Sequence, residues 1–429
     1  MTTSEFILQH RLSNPRDLAL QARRYPDVDM PYALNQIQGW QTACQKLPSW
    51  ASCDGVVYPP HLNMEQCSSE PTARYKQEVA LRWLNKLGVG HGGATTSMAD
   101  LTGGFGVDFS FTSRCFASAT YVERNSSLCD VVSGNLPRLG ISNANVVCAE
   151  AEDSLATMPQ QTMLFLDPAR RDEHGAKTVL IADCTPDVCR LLPQLMSKAR
   201  FVMLKLSPML DWHKAIADLK GTVDEVHIVS VGGECKELLL VLAGKVSVPS
   251  VDSGSLENGV RVYSVDIMPK AEADGEYKRS EFCYTIGGAA DNPPTLNPQP
   301  STLNSQLSTL NSQFLFEPNA SIMKAGCFAE LSQVYGVEAI GPNSHLFVSS
   351  GRVEQFPGRK FAIEAVCTLN KRQLKQTLGT LKQANIAVRN FPMSVAELRK
   401  RLKLRDGGDT YIFATTTMEG EHVLIICRK

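Results

Sequence analysis

The sequence predicts an α/β chain: a doubly wound, Rossmann-like sheet whose last strand is antiparallel, preceded by a helical region and followed by a small α+β domain. Three observations predict it. Short apolar runs alternate with helix-length segments through the middle of the chain, and that alternation builds a parallel sheet covered on both faces. The last two runs, "VDEVHIVSV" and "ELLLVLAG", are separated only by "GGECK". That link is too short for a parallel crossover, so the final strand must reverse. Finally, "ADLTGGFGVD" follows the first run and leads into a helix, the strand–turn–helix context of a nucleotide site.

Residues 1–85 read as helical. "SNPRDLALQARRY" opens with a Ser-Asn-Pro entry signal. "YALNQIQGWQTACQKL" places Ala33, Ile37, Trp40 and Ala43 at helical spacing. "SSEPTARYKQEVALRWLNKLG" offers Ser69 as N-cap, Pro71 in the first turn and Gly88 as the stop. From 86 to 244, "ATTSMADLT", "SATYVER", "NVVCAEA", "MLFLDPAR" and "FVMLKLSP" precede the two runs named above and complete the strand series. Residues 245–354 read as a small mixed α+β connecting region. It carries an insert, 291–313, in which Thr-Leu-Asn recurs at 295, 302 and 309; its Pro, Ser, Asn and Gln content predicts an expanded low-complexity segment over a coiled coil. Residues 355–429 alternate strand and helix again and predict a small module with its own core.

Bulk properties narrow the class. The chain has 429 residues, 43% of them hydrophobic and 20% charged, ordinary values for a globular protein. No charge-free apolar run reaches the length of about 18 residues that a membrane span needs. The opening "MTTSEFILQHRLSNPRD" lacks the long apolar core of a secretory signal. Thirteen scattered cysteines with no C-x-x-C pair predict free thiols in a reducing cytoplasm, with neither a zinc site nor a disulfide framework. The net charge of -1 hides an asymmetry: from Gln355 onward 14 Lys+Arg face 6 Asp+Glu, so the tail is +8 and the rest -9. A basic module on an acidic body points to a polyanion partner; an ordinary solvated charged surface is the alternative. The oligomeric state is not encoded in any of these features.

Three ligands compete for the glycine turn. Gly103, Gly104 and Gly106 allow positive φ and a close backbone approach, and amides at the helix start that follows would face a ligand. A phosphate loop needs Gly-Lys-Ser/Thr, which is absent. A dinucleotide fingerprint wants a third glycine where Phe109 stands, and an acid just before the turn suits a pyrophosphate poorly. S-adenosylmethionine, cationic and free of phosphate, fits better. Asp100 would accept from its amino end, with Thr102 and Asp108 flanking the glycines. Glu123, 23 residues after Asp100, would take the ribose hydroxyls. Glu150 would receive the adenine amino group, and Asp167 ends the fourth strand. Four successive strands thus end in acid-bearing turns, at the edge where open α/β sheets bind ligands. Ordinary acidic helix caps are the alternative.

In these stretches the sequence resembles the class I S-adenosylmethionine-dependent methyltransferases. "EQCSSEPTARYK", "DLTGGFGVD", "FLDPARRD", "KLSPMLD" and "GECKE" are similar, more narrowly, to a bacterial group of methyltransferases with a C-terminal THUMP-like domain. The tail "RKRLKLRDGGDTYIFATT" resembles that domain. The resemblance implies methyl transfer, with Asp167, Pro168 and Arg170 in the place of the D-P-P-Y type tetrad of amino methyltransferases. In that tetrad the acid or amide orients the target nitrogen and the aromatic stacks on the base. Here Arg170 replaces the aromatic, and Arg170 or Arg171 would stack on a base or bind phosphate. "DPAR" is also similar to the uridine C5 methyltransferases, but "MLKLSP" lacks their cysteine nucleophile. Lys205 and Ser207 after the fifth strand, and Glu234 and Lys236 after the sixth, are placed at the substrate edge. Lys205 would anchor phosphate or act as a base if its pKa fell; an ordinary ion pair is the alternative. The expected activity is methylation of structured RNA, tRNA or rRNA, held by the basic domain. Methylation of a small molecule or protein, or a non-catalytic RNA-binding factor that keeps the fold, remain open.

Overall fold

The computed structural model describes residues 1–90, 95–170, 180–243, 258–272, 275–288 and 313–429. Two units divide the chain. One comprises Met1–Val231, Lys236–Arg261 and Ile267–Tyr277; the other comprises Gly232–Cys235, Val262–Asp266 and Lys278–Lys429.

The first unit begins with α1 (Thr3–His10), α2 (Pro15–Leu20), α3 (Met30–Lys46), α4 (Pro48–Ala51), α5 (His61–Gln66) and α6 (Glu70–Lys86). The local signals explain their starts. Asn14 caps α2 by accepting the Arg16 amide, with Pro15 at the first position, and Asp29 accepts the Tyr32 amide at the head of α3. Ser69 holds the cap position of α6, but its hydroxyl makes no capping bond; the Thr72 hydroxyl donates to its carbonyl oxygen at 3.0 Å. The buried side of α6 carries Ala73, Lys76, Val79, Ala80, Trp83 and Leu84, an i, i+3, i+4 stripe with one lysine in it.

The sheet follows as β1 (Ser97–Asp100), α7 (Val107–Thr112), β2 (Ser118–Glu123), α8 (Ser126–Arg138), β3 (Ala144–Cys148), α9 (Ala151–Thr157) and β4 (Gln161–Leu166). A two-residue ladder, β5 (Ala169–Arg170) against β6 (Cys184–Thr185), precedes α10 (Val188–Lys198), β7 (Ala199–Leu206), α11 (Trp212–Asp218), β8 (Val223–Val231) and β9 (Glu234–Leu242). Among the described residues these strands lie in the order β8-β9-β7-β4-β1-β2-β3. The pairs β2–β3, β1–β2, β1–β4 and β4–β7 are parallel, and β9 is antiparallel to β7, as its short link requires. β4 is buried throughout and β7 nearly so, which is why their sequences read as continuous apolar runs and not as alternation. The N-terminal helices brace the glycine turn: Phe105, Val107 and Phe111 pack with Leu47, Trp50 and Met64, and the Trp50 and Phe105 rings meet edge-on at 4.9 Å.

β10 (Asn258–Ile267) and β11 (Arg279–Gly288) come next. The second unit then holds β12 (Phe314–Pro318), α12 (Ala320–Ala325), α13 (Phe328–Tyr335), β13 (Glu338–Ala339), β14 (Phe347–Ser349), β15 (Gly358–Thr368), α14 (Lys371–Leu378), β16 (Asn385–Arg389), α15 (Val395–Leu402), β17 (Thr410–Thr416) and β18 (His422–Arg428). Among the described residues one sheet runs β13-β14-β12-β15-β18-β17-β16, so the 314–354 segment and the basic tail share it. Leu378 of α14 and Leu398 of α15 cover the face that carries Ile412, Ala414, Leu424 and Ile426. The opposite face carries Phe361, Phe413 and Ile425 with Leu315 and Val348. Buried Glu317 receives Arg359 and, at 2.8 Å, Arg389. The Thr-Leu-Asn insert lies, but for residue 313, outside the described residues. Among the described residues no helix is long and apolar enough to cross a membrane, and no cluster of His, Cys, Asp and Glu has the makings of a metal site.

Candidate active site

The carboxyl ends of β1, β2 and β4 build the glycine turn. The Leu101 amide donates to the Phe165 carbonyl, that of Gly103 to Val122 and that of Gly106 to Gly103. The Thr102 amide donates to Asp100 Oδ1 at 3.0 Å and the Gly104 amide to Glu123 Oε2 at 2.9 Å. Gly103 has no room for a side chain, because a Cβ there would lie 2.1 Å from the Tyr121 ring. Gly106 caps α7 with φ 79°, a conformation that glycine adopts without strain. These five amides of the turn are spent on the protein itself; the expectation concerned the amides at the start of α7, which follow them.

Glu123 accepts Gly104 through one oxygen and the Asn125 amide through the other, each at 2.9 Å. Asp100 is buried at 1% exposure; burial, reinforced by Asp108 and Asp167, holds its carboxyl well above the usual range despite the Thr102 amide and Lys205. Thr102 ties β1 to β4, its hydroxyl accepting the Asp167 amide at 2.6 Å. Glu150 stands exposed at the head of α9 and makes no capping bond.

Beside the turn lies a series of alternating charges. Asp167 Oδ2 takes Lys205 Nζ at 2.6 Å, and Lys205 lies 3.5 Å from Asp108 Oδ2. Asp108 Oδ1 faces Lys76 Nζ at 3.2 Å, and Lys76 donates to both oxygens of Glu237 at 2.6 Å. Ser68 Oγ donates to Asp108 Oδ2 at 2.7 Å. Side-chain exposure rises from 0% at Lys76 and 3% at Glu237 to 12% at Lys205 and 39% at Asp167, so Asp167 is the open end. Each stretch that carried the family resemblance supplies one member: Lys76 closes "EQCSSEPTARYK", Asp108 closes "DLTGGFGVD", Asp167 sits in "FLDPARRD", Lys205 opens "KLSPMLD" and Glu237 closes "GECKE".

This series corrects two expectations. Burial alone would depress the Lys205 ammonium, but Asp167, Asp108 and Glu237 outweigh it and hold its pKa above the ordinary value. Lys205 is therefore a fixed cation and not a base. Asp108, expected among the cofactor ligands, is instead buried between Lys76 and Lys205; burial would raise its carboxyl, and the two lysines hold it below the usual range. Pro168 is buried, and Arg170 enters the β5–β6 ladder. Arg171 lies outside the described residues. Ser207 is half-buried, its hydroxyl accepting the Met209 amide at 3.3 Å. Glu234 and Lys236 are exposed on β9, and it is Glu237, the next residue, that is buried in the series. Burial pushes the Cys67 thiol up to about 11, in keeping with a packed and unactivated cysteine.

Lys76 and Glu237 are the members that sequence reasoning misses. The available signals were a lysine inside the apolar stripe of α6 and an acid immediately before the apolar run "LLLVL".

Comparisons with known proteins fit this architecture. A family model described as THUMP domain-like matches residues 358–429, and one described as a ferredoxin-like domain matches residues 314–357. Among solved structures, a candidate methyltransferase from Porphyromonas gingivalis W83 is similar at 28% identity, over 93% of this chain and 90% of that one, with a TM-score of 0.73. The methyltransferase subunit of a type I restriction-modification system from Streptococcus thermophilus matches at 13% identity over 47% of each chain, TM-score 0.31. An rRNA methylase from the same species matches at 11% identity over 41% of this chain and 98% of that one, TM-score 0.30. No curated protein matches. The chain joins a sheet of the methyltransferase fold to a ferredoxin-like segment and a C-terminal THUMP-like domain.

Proposed function

We propose that this protein is an S-adenosylmethionine-dependent methyltransferase acting on structured RNA. The observation that carries the reading is the edge where the carboxylates Asp100, Glu123 and Asp167 close adjacent parallel strands around a turn that spends five of its amides on the protein itself. A phosphate-bearing cofactor needs free amides or cations at that turn. A cationic, phosphate-free one is served by carboxylates. When bound, such a donor supplies an electrophilic methyl group on sulfur.

The chain's own residues have separable tasks. Glu123 spends one acceptor site of each oxygen on the backbone and keeps another on each, enough for two ribose hydroxyls. Asp100 would stand by the amino end, where a nearby cation would favour its ionised form. Asp167 is fixed through Oδ2 by Lys205, which leaves Oδ1 to accept from the group being methylated. Catalysis would then be mostly proximity and orientation.

The RNA half rests on the tail. α14 and α15 bury Leu378 and Leu398 against the same sheet face, and the residues left exposed include Lys371, Arg372 and Lys375 on α14 and Lys400, Arg401 and Lys403 at the end of α15. Cations on one face suit a phosphate backbone. The test is calorimetric titration with S-adenosylmethionine, followed by tritium transfer from labelled donor into total RNA. Donor binding with RNA labelling is expected; a chain that binds a dinucleotide in preference ends the reading, and donor binding without RNA labelling ends its RNA half.

A further inference from the structure

The inner end of the charge series has no part in the steps above. Lys76 and Glu237 are buried, and Lys76 holds both oxygens of Glu237 at 2.6 Å. Burying such a pair costs several kcal/mol per ion before attraction is counted, and well-packed apolar residues of similar volume often serve stability as well or better. Stability alone is therefore a poor account of the pair, and geometry offers another. Lys205 has two carboxylates within reach, Asp167 at 2.6 Å and Asp108 at 3.5 Å. It can favour Asp167 because Asp108 is already answered, by the Ser68 hydroxyl on Oδ2 and by Lys76 against Oδ1.

The geometry points to Lys76 as a positioning residue: by answering the charge of Asp108, it keeps Lys205 on Asp167. Asp167 is the exposed end of the series, so a displaced Lys205 leaves the substrate-facing carboxylate without a fixed orientation. The consequence for turnover rests on the methyl-transfer reading. The placement of Lys205 does not, because it follows from contacts within the chain alone.

The test is a set of crystal structures of full-length variants. Lys76→Met combined with Glu237→Gln removes one charge of each sign and withdraws the inner cation from Asp108. The shorter contact of Lys205 is expected to pass from Asp167 to Asp108. Adding Asp108→Asn to that pair is expected to return Lys205 to Asp167, a rescue that a merely structural Lys76 would not produce. Ser68→Ala removes the other donor to Asp108 without touching a charge; it should move Lys205 the same way by a smaller distance, and it serves if the double variant does not fold. Lys205 remaining on Asp167 in the variants that leave Asp108 unanswered overturns the proposal. Failure to bind S-adenosylmethionine in a parallel titration would sink the methyl-transfer reading and leave the Lys205 result standing.

Discussion

Asp100 and Asp108 bracket the same glycine turn, and both are buried, yet their carboxyls shift in opposite directions. Asp100 has the Thr102 amide and little else, and burial raises it. Burial would raise Asp108 as well, but Lys76 and Lys205 flank it and hold it down. The difference separates two halves of one site. The Asp100 side is built from backbone and, on the proposed reading, would take a cationic guest; the Asp108 side already contains its cations and is closed on itself.

The largest effect comes from erasing that difference. Lys76→Met alone strands Asp108 and Glu237 without their shared cation, and breaking a buried pair in this way costs about 3–5 kcal/mol. Urea unfolding should show a loss of that order, well above the loss for Lys76→Met with Glu237→Gln. Equal losses would mean that Lys76 matters for its packing and not its charge.

Next is the backbone half. Gly103→Ala drives a methyl to 2.1 Å from Tyr121 Cε2, and the ring is held in place because its hydroxyl donates to the Gly104 carbonyl. Overpacking of this kind costs about 1–3 kcal/mol, read as a shifted urea midpoint at unchanged slope. No shift would mean that the turn can move aside, and the close approach would lose its meaning.

A smaller change in stability, with a larger one in binding, is expected of Glu123→Gln. The amide keeps one acceptor for the Gly104 and Asn125 amides that the carboxylate served together, a loss of about 1 kcal/mol. Calorimetry should show S-adenosylmethionine affinity falling at least about tenfold, since hydrogen bonds to a charged group contribute about 1.5–3 kcal/mol. Unchanged affinity would remove Glu123 from the donor site.

The two halves were unequally legible in the sequence. The turn announces itself, because three glycines in four positions after a strand-ending acid are a local constraint, and the strand series fixes which edge they occupy. The charge series gives no such sign. Lys76 and Glu237 stand 161 positions apart, and each looks like a charge on an ordinary element. Lys236 and Glu237 are adjacent, and only the lie of β9 decides that the first is exposed and the second buried. Lys205 could be placed at the strand end from sequence, but whether it is a base or a fixed cation depends on carboxylates brought in from α7, β4 and β9. Apolar periodicity carries strands and helices; it does not carry ion pairing across long sequence separations.

The finest test of the comparison is its pH dependence. A carboxyl raised on folding binds its proton more tightly in the folded chain than in the unfolded one. Its contribution is therefore favourable at low pH and declines as pH climbs from the ordinary value of 3.8 toward the raised one. Asp100→Asn keeps an oxygen for the Thr102 amide and removes that decline. The variant should gain on its parent as pH rises above about 4, by at most about 1.4 kcal/mol per pH unit. Asp108→Asn should do the reverse. A carboxyl lowered on folding stabilises the protein above its unfolded pKa and loses that contribution as pH falls through the lowered value, so this variant is weaker than its parent near neutrality and the deficit fades below about 3.8. Thermal midpoints measured from pH 3 to 8 for both variants should therefore fan out from the parent in opposite directions. Parallel curves would mean that the lysines do not offset burial at Asp108, and that the two ends of the turn do not differ.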